Sequence, residues 1–186
     1  MTTTSRAAAE IDALLGRHPK GFDLSLERVL RLLTALGDPH LRLPPTIHVA
    51  GTNGKGSVTA FLRAILEADS RAVHTHTSPH RVNWHERYRL ASGAGTSRLV
   101  DDTALAEAVR RAANANEGQP ITVFEILTAV TFMLFAEYPA DAAVVEVGLG
   151  GRLDATNAAN ARVAVVTEIS LEHTEYLGNT LREIAR

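Results

Sequence analysis

The stretch Gly51-Thr-Asn-Gly-Lys-Gly-Ser57 sets three glycines, one lysine and a serine between a β-branched run, Thr46-Ile-His-Val-Ala50, and an apolar-periodic segment beginning Val58-Thr-Ala-Phe-Leu62. Strand, glycine-rich turn and helix in that order is a way to hold a nucleoside triphosphate. Glycines let backbone N–H groups converge on phosphate oxygens, and the helix N-terminus adds positive potential. Lys55 would reach the outer phosphates, and a hydroxyl at the helix start, Ser57, would hold Mg²⁺. The match to the common phosphate-loop spacing is inexact, because Val49 occupies the usual first-glycine position and Gly56 separates Lys55 from Ser57.

Two more groups converge on the same edge of a parallel sheet. Glu146 ends the apolar run Ala142-Ala-Val-Val-Glu146, and ligands gather outside the carboxyl ends of such strands. A carboxylate there is a natural Mg²⁺ ligand; the alternative is an edge-strand glutamate facing solvent. His173 follows the next strand, in Glu168-Ile-Ser-Leu-Glu-His-Thr174, and a neutral imidazole binds or orients a metal. Glu125, the carboxylate in Val123-Phe-Glu-Ile-Leu127, reads equally as a residue favouring a helix dipole or as a substrate anchor beside Phe124. The turn Gly148-Leu-Gly-Gly-Arg-Leu-Asp-Ala-Thr-Asn157 is rich in residues that bind ligands through backbone and side chain together. His74, His76, His80 and His85 are bunched, but nothing follows them at a zinc-enzyme spacing, so a zinc site is not expected.

The elements that must carry these groups alternate between helix and strand. Helices are expected over 5–15 and over 25–36, the second with Leu26, Val29, Leu30 and Leu33 on one face and Ser25 as its cap. Gly37-Asp-Pro39 stops it. A strand at 46–50 and a helix at 57–68 flank the glycine-rich loop, and 71–77 is a second short strand. Residues 79–97 read as irregular or hairpin-like, with a turn at Ser92-Gly-Ala-Gly95. A helix opens at Asp101-Asp102 and runs to about Ala115. A nearly all-apolar helix at 122–137 implies burial on most sides. Strands at 142–147 and 162–167, a loop at 168–178 and a helix starting at Asn179 complete the pattern. Continuous apolar strands between helices indicate an α/β fold with a mostly parallel sheet covered on both faces.

Bulk composition narrows the function classes. With 186 residues, 45% hydrophobic and 22% charged, the chain is globular and one domain is the default. A net charge of −2 gives no global attraction for nucleic acid. The absence of cysteine excludes disulfides and thiolate metal sites and fits a reducing, cytoplasmic setting. The apolar region from Ile121 to Phe135 is too short and too polar to span a bilayer. No secretory signal order opens the chain. The last helix lacks a stop signal, so this reads as the front part of a longer protein.

Taken together, these segments resemble the folylpolyglutamate synthase/dihydrofolate synthase family within the Mur-ligase superfamily. The matching residues are Gly51–Ser57, Thr77-Ser-Pro-His80, Phe124-Glu125, Glu146–Asn157 and His173-Thr174, and Phe22–Val29 looks like the family's N-terminal helix. The resemblance implies a phosphate-loop, Mur-ligase central domain and an ATP-dependent ligase. ATP would phosphorylate a carboxylate of a pteroate or folate, and L-glutamate would attack the acyl phosphate. By position it implies that Gly51, Thr52, Asn53, Gly54, Lys55, Gly56 and Ser57 bind ATP, with Lys55 and His173 catalytic. Ser57, Ser78 and Glu146 would hold one Mg²⁺ and His173 would serve a second. Thr122, Val123, Phe124, Glu125, Leu153, Asp154 and Ala155 would line the site for dihydropteroate or folate.

It further implies small-molecule partners only, with no nucleic acid or membrane, and a monomer at full length. Three departures stand out. Glu172 replaces the family's usual Asp before the metal histidine, and His85 replaces an Asn before Glu86-Arg87. The family's Lys-Ala-Gly segment and C-terminal domain would lie past Arg186, so residues 1–186 are expected to be an inactive, truncated ATP-binding domain. Two rival readings are another Mur-type amide ligase and a nucleotide-binding module that performs no ligation.

Overall fold

The computed structural model describes residues 5–18 and 24–186. Its helices are α1 (Arg6–Leu15), α2 (Glu27–Ala35), α3 (Lys55–Ala68), α4 (Asp102–Asn116), α5 (Val123–Glu137), α6 (Thr174–Leu177) and α7 (Leu181–Ile184). Its strands are β1 (Thr46–Ala50), β2 (Val73–His76), β3 (Tyr88–Gly93), β4 (Thr96–Leu99), β5 (Ala142–Glu146) and β6 (Val163–Val166). They form one sheet in the order β4-β3-β2-β5-β1-β6. β2, β5, β1 and β6 run parallel, and the β3–β4 hairpin adds an antiparallel edge. This is the expected α/β architecture.

Strand alternation divides the core between the two faces. Val49, Val73 and Val144 meet Val58, Leu62 and Leu66 of α3. Ala143, Val145 and Tyr88 face the larger cluster, where α5 is packed against α2 and α4. Burial on most sides explains why α5 is apolar around nearly its whole circumference. On that face the register sets His48 beside Val145 and Val145 beside His76. His48 Nε2 lies 2.8 Å from Thr156 Oγ1, and His76 Nδ1 lies 2.9 Å from Thr131 Oγ1. Burial pushes the His48 imidazole down to about 4 and is the main cause that brings His76 to about 3.

Several expected boundaries shift for physical reasons. α3 starts at Lys55, two residues before Ser57, because Gly54 in the left-handed region (φ 83°) supplies its N-cap. α2 starts after Leu26, and Ser25 Oγ instead accepts from Glu27 N at 3.3 Å. Leu30, assigned to the buried face, is 38% exposed, and Leu32 takes its place in the core. The 79–97 stretch resolves into a 3-10 turn at Trp84–Arg87 and the β3–β4 hairpin. A short helix, α6, interrupts the expected 168–178 loop, and the last helix starts at Leu181 behind a Thr180 cap. Phe22 and Asp23 of the Phe22–Val29 segment lie outside the described residues. Among the described residues no helix is long and apolar enough to cross a membrane.

Candidate active site

The glycine-rich loop leaves β1 at Gly51, whose φ of 131° is closed to most side chains. A Cβ there would sit 2.0 Å from Thr167 Oγ1. The loop is stitched to the segment after β6: Thr52 N donates to Glu168 O at 2.8 Å, and Asn53 bridges Glu168. Thr52 Oγ1 donates to Ser170 O at 3.2 Å and accepts from Ser170 N at 3.1 Å. These bonds fix the loop's shape and occupy the Thr52 side chain. Lys55 Nζ donates to Gly51 O at 2.8 Å and to Thr52 O at 3.0 Å. An ammonium has three donors, so one is left for a phosphate. Gly54 caps α3 without a side chain, so the first amides of α3 face outward, as anion binding requires.

Glu146 lies in a central strand between β2 and β1 and is 6% exposed, which overturns the edge-strand alternative. Its Oε2 accepts from Ser78 N at 3.2 Å, next to the cis Ser78–Pro79 bond. A Cβ on Gly56 would lie 3.7 Å from both carboxylate oxygens, so the first turn of α3 closes over this group. Burial pushes the Glu146 carboxyl above its usual range, against the opposing pull of the Ser78 N–H and of the Lys55 and Arg87 charges. A carboxylate short of partners in a dry place gains from a cation. Among the described residues no cluster of three or more His, Asp or Glu side chains is able to hold a metal. A cation here would therefore rely on Glu146, hydroxyls, water and ligand phosphates. That donor set fits Mg²⁺, which keeps waters and takes few carboxylates, and does not fit zinc.

His173 takes a left-handed conformation (φ 49°) at the start of α6 and is half-buried. It lines a cleft of about 180 Å³ together with Lys55, Ser78, Gly148, Gly150 and Glu172. Lys55, Ser78 and His173 thus share one cavity, and Glu146 touches it through Ser78. Ser57 is exposed on the first turn of α3, beside Gly56.

The remaining predicted residues assemble into a second wall. Glu125 Oε2 accepts from Thr122 N and Thr122 Oγ1, each at 2.8 Å, while Glu125 N donates back to Thr122 Oγ1. This reciprocal capping box is joined by Arg28 Nη2, 3.1 Å from Glu125 Oε1. Val123 is buried behind it. Phe124 lies so close to Gly148 that a Cβ there would meet Phe124 Cζ at 2.4 Å and Asp154 Oδ2 at 3.0 Å. Residues 122–125 and 148–155 therefore meet across Gly148. Asp154 accepts from Leu149 N at 2.8 Å and Thr156 N at 2.9 Å, and from Thr156 Oγ1. Burial raises its carboxyl pKa even so. Ala155 is buried, and Leu153 is 38% exposed.

Residues 49–186 match the model of the Mur ligase middle domain. The chain belongs to the Mur ligase family. It is 43% identical over 171 residues to the dihydrofolate synthase/folylpolyglutamate synthase of Mycobacterium tuberculosis, covering 88% of this chain and 35% of that relative. A solved structure of E. coli FolC in complex with DHPP and ADP superposes with a TM-score of 0.88 at 38% identity, over 97% of this chain and 42% of that one. A bifunctional folylpolyglutamate synthase/dihydrofolate synthase with Mn, AMPPNP and L-glutamate bound superposes at 0.83 with 35% identity, covering 97% of this chain and 42% of that one. This Mur ligase domain spans less than half the length of these relatives.

Two structural features of this wall and its surroundings were not foreseen from the sequence. The capping box was written in the spacing of Thr122 and Glu125, a hydroxyl residue three positions before a glutamate at a helix start. Arg87 stood in the sequence only as part of Glu86-Arg87, with no sign of its packing. It is 9% exposed, with Nε donating to His80 Nδ1 at 3.1 Å and its guanidinium 5.1 Å from the Trp84 ring centroid.

Proposed function

We propose that the protein containing this chain is an ATP-dependent ligase that joins L-glutamate to dihydropteroate, to a folate, or to both, through an acyl phosphate. The observation that carries this reading is one cleft where the glycine-rich loop, Lys55, Ser78 and His173 meet beside the buried Glu146. The substrates of this reading follow from the relatives, a dihydrofolate synthase/folylpolyglutamate synthase among them.

In this reading Gly51 to Ser57 wrap the ATP phosphates with backbone amides, and the remaining donor of Lys55 meets the transferring phosphoryl group. Mg²⁺ would be held by Glu146 with the hydroxyls of Ser57 and Ser78, His173 serving a second ion, and would neutralise phosphate charge. The pteroate or folate carboxylate attacks the γ-phosphorus and ADP leaves. The glutamate amine then attacks the acyl carbon, and phosphate departs. Phe124 and Leu153 offer apolar surface for a flat ring, while Thr122, Val123, Glu125, Asp154 and Ala155 shape the wall behind it. Little covalent chemistry falls to the protein, so positioning does most of the work. The partners are small molecules, and an ATP-driven step on a stretch of 186 residues without cysteine suits the cytoplasm. The activity belongs to the whole protein.

The test is a coupled ADP-release assay on the whole protein, with L-glutamate and either dihydropteroate or a tetrahydrofolate, against a muramyl-peptide precursor with its own amino acid. Glutamate-dependent turnover with either pterin substrate is the expected result. Turnover only with the muramyl precursor would move the protein to another Mur-type ligase. Nucleotide binding without ligation of any substrate would leave a nucleotide-binding module.

A further inference from the structure

On the α3 side of the sheet, away from the cleft around Lys55, a second cavity of about 240 Å³ opens between α3 and the β2–β3–β4 edge. Arg63, Thr75, Thr77, Glu86 and Arg89 supply its polar lining. Thr75 stands directly across from Arg89 in the antiparallel β2–β3 pair. Its side chain is 4% exposed, and among the described residues its Oγ1 has no hydrogen-bond partner. A buried hydroxyl without a partner is costly unless something else satisfies it.

Arg63 and Arg89 stand here with Glu67 and Glu86, and both carboxylates are taken up by other partners. Glu67 is fully engaged, with Oε2 2.7 Å from Arg63 Nη1 and Oε1 accepting from Ser97 Oγ. Arg89 Nη1 donates to a neutral acceptor, Ser97 O, at 3.2 Å. Among the described residues no carboxylate lies within salt-bridge distance of Arg89. The Glu86 carboxylate is turned to the backbone, accepting from Arg81 N at 2.7 Å and from Val82 N and Asn83 N at 3.1 Å. Its carbonyl takes the Thr77 hydroxyl at 3.1 Å. Burial, and then the Arg63 charge, lower the Arg89 pKa against the opposing pull of Glu67.

We propose that this cavity is a binding site for a compact oxyanion of the phosphate type, held by the Arg89 and Arg63 guanidiniums and the Thr75 hydroxyl. Guanidinium and hydroxyl groups offer donors, and a ligand made only of acceptors answers them. The planar guanidinium fork matches the oxygens of phosphate better than an ammonium does. The cavity shares no lining side chain with the cleft around Lys55. The site therefore stands whether or not the ligase reading holds. Thr77 joins the two places, since it lines this cavity and immediately precedes Ser78.

The probe is inorganic phosphate. Equilibrium dialysis of the whole protein against radiolabelled orthophosphate is run with Mg²⁺ and a non-hydrolysable ATP analogue filling the glycine-rich loop. One saturable site is expected, weakened about tenfold or more by Arg89→Met, which keeps the stem and removes the charged hydrogen bonds. Thr75→Val, equal in shape and lacking only the hydroxyl, should weaken it severalfold, while Lys55→Ala should leave it in place. Absence of saturable binding overturns the proposal. So does a site lost in Lys55→Ala, which would assign the anion to the nucleotide loop. If Arg89→Met does not fold, Thr75→Val decides alone, and unchanged phosphate affinity there refutes the site.

Discussion

Lowering the pH from 7 to 5 is expected to remove about 4 kcal/mol of folding stability through His48 and His76 alone. In the unfolded chain both imidazoles protonate near their ordinary 6.5, whereas in the folded chain His48 stays neutral to about 4 and His76 to about 3. At pH 5 the unfolded state therefore holds two protons that the folded state refuses, so stability falls as pH falls. The loss starts near 6.5 and levels off below the folded values. Each histidine contributes about 1.4 kcal/mol per pH unit over some 1.5 units, or about 2 kcal/mol. At pH 5 that figure depends on the unfolded value, because both folded values lie lower. Asp154 and Glu146, with carboxyls shifted upward, act in the opposite sense, so the readout is a difference between variants. His48→Gln keeps a partner for Thr156, and His76→Phe leaves Thr131 its bond to Leu127 O at 3.2 Å. Urea denaturation at pH 7, 6 and 5 should show each variant losing about half of the slope that His48 and His76 contribute and the double variant all of that part, while His40, His74 and His80, also lowered by burial, keep theirs. A double variant with the full parental slope would refute the reasoning.

Lys55→Ala in the whole protein should lower kcat by about 10²–10³, some 3–4 kcal/mol of transition-state stabilisation; unchanged turnover would mean Gly51–Ser57 is not the ATP loop. Glu146→Gln should raise the Mg²⁺ concentration needed for half-maximal activity without lowering Tm, because glutamine keeps an acceptor for Ser78 N and removes the charge a hard cation needs. His173→Ala should act in the same direction and more weakly, and a parental Mg²⁺ curve for Glu146→Gln would end the metal assignment. Glu125→Ala removes a capping box and half of an ion pair with Arg28, and should cost about 3 kcal/mol in urea denaturation. A cost under about 1 kcal/mol would show that Thr122 caps α5 unaided.

Glycine spacing made the loop between β1 and α3 legible, because only a turn with positive φ and a close approach needs glycines at 51 and 54. The helix start was misread by two residues because the cap is a backbone conformation at Gly54 rather than a side chain. Glu146 was placed at the right strand end, yet its depth came from the sheet order, in which β5 lies between β1 and β2, sequence neighbours joined by α3. No periodicity encodes that insertion. The β3–β4 hairpin was legible in its Ser92–Gly95 turn, whereas the extent of β4 was not, because Thr96-Ser-Arg-Leu99 is an exposed edge strand with little apolar signal. Asp154 looked like a ligand residue, and the structure spends its carboxylate on Leu149 and Thr156, a role invisible until Gly148–Thr156 closes on itself. His74 and His76, bunched with His80 and His85 in the sequence, meet Tyr138 O and Thr131 Oγ1 at α5.

The stitching of the glycine-rich loop has a consequence for how the domain is built in time. Thr52 finds its side-chain and backbone partners at Ser170 and Glu168, more than a hundred positions downstream. The motif is contiguous as text and non-local as an object. Such contacts close only after long stretches of chain have been ordered, which makes them slow to form. During synthesis the bonds that fix the glycine-rich loop close only once β6 has docked on β1, however early residues 51–57 emerge. Under the proposed function ATP binding would report on completed assembly, and a peptide cut to the motif alone would lack the scaffold that gives it form.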